Sequence, residues 1–147
     1  MSSKRNALSV LAVLLLTAVF GYASALDQPY MQRARTNLQG AKSELLAAEH
    51  NKRGHRTKAL EYVNAAIAEV NQGIRFDRRH NHAQATDVFV GPALPDQPHM
   101  RAALSNLESA RRNLEQATAD KGGHRAKAID LVNKAVDEVN KGIAAGA

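Results

Sequence analysis

The chain is written twice. Shifted by 69 positions, Lys52-Arg53-Gly54-His55-Arg56-Thr57-Lys58-Ala59 falls on Lys121-Gly122-Gly123-His124-Arg125-Ala126-Lys127-Ala128. The match runs without a gap from Asp27/Asp96 to Ile74/Ile143, and half of the aligned positions are identical. Asp27-Gln28-Pro29 meets Asp96-Gln97-Pro98, and Glu69-Val70-Asn71 meets Glu138-Val139-Asn140. Agreement of this kind is a tandem duplication, so whatever one unit folds into must occur twice.

The agreeing positions say what that unit is. Met31, Ala34, Leu38, Ala41, Leu45 and Ala48 recur as Met100, Ala103, Leu107, Ala110, Leu114 and Ala117. Steps alternating three and four make a heptad seam, with large residues at one seam position and Ala at the other. Ala59, Val63, Ala66, Val70 and Gly73 repeat the spacing after the Gly-His turn, and Leu60, Ile67 and Ile74 widen that stripe. Pro29 and Pro98 fit first helical turns, with Asp27 or Gln28 near the cap. Gly54 and Gly123 suit the left-handed residue between one helix and the next.

Each unit is thus a helical hairpin. The spacing predicts an all-α four-helix bundle made of two tandemly duplicated antiparallel αα-hairpins. Hairpin repeat 1 covers 27–74, a crossover loop 75–95, and hairpin repeat 2 covers 96–143. Val88-Phe89-Val90 suggests an ordered crossover laid over one end of the bundle. The expected symmetry puts both Gly-His hinges at one pole and the termini and crossover at the other. Asn64, Asn71, Asn133 and Asn140, beside the seam, are expected to join the hairpins by hydrogen bonds.

Residues 1–25 read as a secretory signal peptide. Lys4 and Arg5 precede an apolar core from Ala7 to Phe20, and Ala23-Ser24-Ala25 offers a cleavage site. The bundle then occupies 26–147, with no transmembrane anchor after cleavage, and a periplasmic or secreted location is expected. Without Lys4 and Arg5, 18 of the 20 basic residues face 14 acids, a net +4 with neutral His. That mild charge, in an exported chain, gives no support to nucleic-acid binding. No cysteine supplies a disulfide or a thiolate ligand. A phosphate-binding Gly loop, a nucleophile elbow and the Glu-x-x-His pair of di-iron bundles are all absent, so an enzyme is not expected.

Histidine is the residue left for metal or proton chemistry. On the expected arrangement His50, His55 and His124 gather at the hinge pole, and His80, His82 and His99 at the crossover pole. Converging imidazoles would suit copper, nickel or zinc. His80-Asn81-His82, with Asp77, Asp87, Asp96 and His99 in reach, offers a second nitrogen and oxygen set. Against metal at the hinge stand Lys52, Arg53, Arg56, Lys121 and Arg125, which with two helix N-termini favour an anion instead. A Gly-His turn whose ring packs on the partner hinge needs neither ligand.

An exported bundle of helical hairpins turning at Gly54-His55 and Gly123-His124, with Ala-spaced amphipathic helices, resembles the small metal-binding proteins of bacterial periplasms. The resemblance implies a four-helix bundle that binds divalent metals, copper among them, through helix histidines. His55 and His124 are the positions it carries over; Tyr62, Asn64, Leu131 and Asn133 stand where that family's further histidines would be. The expected function is a non-enzymatic exported bundle that binds or buffers divalent metal (Cu, Ni or Zn). The alternative is an envelope interaction module whose basic hinge end docks an anionic envelope component. Both readings take the two hinges to be neighbours.

Overall fold

The computed structural model describes residues 29–48, 52–80, 96–117 and 122–146. Among the described residues are four α-helices: α1 (29–47), α2 (His55–His80), α3 (Asp96–Gln116) and α4 (His124–Ala145). Residues 1–28, most of the crossover, His50, His82 and Lys121 lie outside the described residues, as do the side chains of Lys52 and His80. No helix among the described residues is long and apolar enough to cross a membrane.

The seam read from the sequence is the core. Met31, Leu38, Leu45, Val63 and Val70 are fully buried, and so are Met100, Leu107, Leu114, Val132 and Val139. Burying one such side chain contributes about 1.5–3 kcal/mol. Between them Ala34, Ala41, Ala66, Ala103, Ala110 and Ala135 are also fully buried, and their small size lets the helix axes come close. Each buried apolar residue of one hairpin has the same amino acid at the matching position of the other.

α2 is longer than the repeat. It passes Gly73 and continues to His80, so residues 75–80, expected to open the crossover, are helical. Glycine inside a helix costs roughly 1 kcal/mol relative to Ala. That is less than the gain from Ile74, which is buried just beyond it. Asp77 is buried one turn further on, and Phe76 reaches the second hinge, where a Cβ on Gly122 would lie 3.2 Å from its ring.

Both hinges turn through two consecutive left-handed residues: Arg53 (φ 56) and Gly54 (φ 89), then Gly122 (φ 65) and Gly123 (φ 79). The next residue but one closes each turn. Arg56 Nη1 donates to the carbonyls of Leu45 and Ala48, and Arg125 Nη1 donates to those of Leu114 (2.9 Å) and Glu115 (3.4 Å). A guanidinium from the second helix thus satisfies the open carbonyls at the end of the first.

The hairpins join head to tail, and here the expected placement of both hinges at one pole is corrected. His55, which opens α2, bridges to Glu138, while His124, which opens α4, bridges to Glu69. α2 and α4 therefore run antiparallel. His55 to Glu69 and His124 to Glu138 are each 14 residues, about 21 Å of helix, so the hinges lie at opposite poles. α1 and α3 are likewise antiparallel, since Glu44 near the end of α1 meets His99 near the start of α3. α4 packs on both α2 and α3, which leaves α2 and α3 across the diagonal. Every neighbouring pair in the bundle is antiparallel.

The physical reason is charge. Parallel α2 and α4 would set His55 against His124 and Glu69 against Glu138. Turning one helix over places an imidazole opposite a carboxylate twice.

Candidate functional site

The residues singled out by the sequence are spread along the bundle. At the first pole, His55 Nδ1 lies 2.7 Å from Glu138 Oε2, and Lys141 Nζ donates to Glu138 Oε1 at 2.9 Å. At the second pole, His124 Nδ1 lies 2.7 Å from Glu69 Oε2. A third bridge, His99 Nδ1 to Glu44 Oε2 at 2.6 Å, sits on the first-pole side between α1 and α3. His99 is separated from His124, as expected, but is brought towards His55, from which the expected grouping set it apart.

A carboxylate can only accept, so in each bridge the ring carries its proton on Nδ1 and donates it. In the neutral ring Nε2 is then the lone-pair nitrogen. The same carboxylate contact that ties the hairpins together fixes the tautomer and aims the ring. Access differs between the three. The side chains of His55 and His124 keep 25% and 21% of their surface, whereas His99 keeps 7%.

Glu138 is the most perturbed group. The hydrogen bond from His55, then that from Lys141, lowers its carboxyl from 4.5 to about 2, against burial, which raises it. Lys141 is raised in turn by its bond to Glu138. The matching position beside Glu69 is Gln72, so the second pole has a His–Glu bridge without the neighbouring ammonium.

Three expectations are corrected by this geometry. Copper, nickel or zinc cannot be shared by His55 and His124, which are one at each pole. Among the described residues no group of three or more His, Asp or Glu converges as a metal cage. The single basic end for an anionic partner does not form either: Arg53 and Arg56 are at one hinge and Arg125 at the other, and both Arg56 and Arg125 are engaged with helix carbonyls. The asparagines beside the seam do not join the hairpins by hydrogen bonds among the described residues. Asn64, Asn133 and Asn140 are exposed and Asn71 half-buried.

What fixes register instead is Glu69 and Glu138. The signal for them was present: a His and a Glu two heptads apart, identical in both repeats, complement each other only when the second helices are antiparallel. Glu44 and His99 left no such trace, because their counterparts are Asn113 and Tyr30. Comparison with protein-family models, with curated proteins and with solved structures finds no match.

Proposed function

We propose that the protein is an exported, non-enzymatic helical bundle that binds divalent metal weakly, at two separate sites, one at each pole. The observation that carries this reading is the pair of partly buried His–Glu bridges, one at each pole. Each holds an imidazole by its Nδ1–H and leaves Nε2 as the donor, the arrangement that orients and strengthens a histidine ligand for copper, nickel or zinc. His99, almost fully buried, contributes to packing and not to binding. Each site supplies one oriented imidazole, with further ligands from water, so affinity is low and the two ions bind independently. Export rests on Lys4 and Arg5, the apolar core that follows them, and Ala23-Ser24-Ala25.

Charge ranks the poles. Lys141 places an ammonium beside the His55 bridge, whereas Gln72 stands beside the other, so the His124 site takes a divalent cation more readily. Calorimetric titration of the protein lacking residues 1–25 with copper(II), nickel(II) and zinc checks this. His124→Ala is expected to remove the tighter event and His55→Ala the weaker, the double variant binding neither. Absence of heat, or heat unchanged in the double variant, contradicts the proposal.

A further inference from the structure

The seam between the hairpins can be closed by a hairpin from elsewhere. Its buried apolar residues are the same, position for position, on both sides. Each hairpin also brings one His and one Glu to it and receives one of each, through His55–Glu138 and His124–Glu69. The interface is isologous within a single chain: one surface, meeting its own copy about a two-fold axis. The one covalent connection between the hairpins is the segment from the end of α2 to the start of α3, residues 81–95.

We infer that this seam is a docking surface for a second copy of the chain, which occupies it by hairpin exchange. In the exchanged dimer each bundle is built from hairpin 1 of one chain and hairpin 2 of the other. Among the described residues every core contact and all three His–Glu bridges are kept, so none of these contacts favours the monomer. What favours the monomer is the link, which holds the second hairpin at an effective concentration of millimolar order. Exchange therefore grows with protein concentration and with any shortening of the link.

The contacts that break the symmetry decide which hairpins pair. Gly40 of α1 leaves room for Asn106 of α3, since a Cβ there would lie 3.1 Å from Asn106 Nδ2. His99 has Glu44 to bridge to only when hairpin 2 meets hairpin 1. Phe76 packs on Gly122, whereas two copies of hairpin 1 would put it against Arg53. Hairpin 1 selects hairpin 2, so the product is a closed dimer and not a mixture of like pairs.

The chain has no cysteine among its residues, so a crosslink reads the exchange directly. Full-length Gly40→Cys and full-length Asn106→Cys are mixed, unfolded, refolded together over a range of concentrations and oxidised. A disulfide-linked heterodimer that rises with concentration, several-fold above what either variant gives alone, is the expected result. A heterodimer no more abundant than those same-variant products overturns the inference.

A second variant removes the advantage of the link. α2 alone carries the chain about 38 Å from His55 to His80. Deleting 84–92 leaves a connection that spans on the order of 20 Å. This chain is expected to have twice the monomer mass by light scattering, with its helical signal kept. A helical monomer or an unfolded chain counts against exchange.

Discussion

Arg53 sits at φ 56, in the left-handed region, where the other repeat has Gly122. A side chain there costs roughly 1–2 kcal/mol. Arg53→Gly is therefore expected to stabilise the protein by about 1 kcal/mol in urea denaturation, and a loss of stability would show that the Arg53 side chain makes a compensating contact. The reverse change at the second hinge is doubly unfavourable. Gly122→Ala meets both a positive φ and the Phe76 ring, and a loss of about 1–2 kcal/mol is expected. Glu138 gives a pH signature. Its folded carboxyl is lowered from 4.5 to about 2, so its contribution is complete above 4.5 and is lost as pH falls towards 2. Glu138→Gln is expected to lower stability at neutral pH and to flatten the decline between those values. Parallel acid-denaturation curves for the two proteins would contradict this.

At the scale of the helix, the duplication makes predictions in matched pairs. Leu38 and Leu107 are both fully buried at equivalent positions. Leu38→Ala and Leu107→Ala are each expected to cost about 2–5 kcal/mol and to agree closely with one another in denaturant unfolding. A large disparity would mean that the halves are packed differently. Helix existence and the buried face were legible from the heptad spacing, because period and burial are one property in an amphipathic helix. Helix length was less so: the matched repeat stops at Ile74, but α2 continues to His80 and buries Asp77 beyond it. The arginines of the hinges were legible as charge and not as caps. That Arg56 and Arg125 reach back to the carbonyls of the preceding helix depends on how the turn closes, which composition does not reveal.

At the scale of the whole molecule, the four-helix bundle was legible and its polarity was not. A heptad seam buries the same surface whether its partner runs up or down, so two assemblies of the hairpins share one sequence pattern. His55 with Glu138 and His124 with Glu69 select between them, and the functional reading changes with the choice, from one shared pole to two separate ones. The test lies in the distance between matched positions at the ends of the second helices. Arg75 and Ala144 are exposed equivalents on α2 and α4, and the protein offers no native thiol to compete for a label. Spin labels on Arg75→Cys/Ala144→Cys are expected to report a separation of roughly 40 Å by double electron–electron resonance, because each helix carries its end past the opposite hinge. A separation of about 10 Å, that of parallel neighbours, would contradict the head-to-tail bundle.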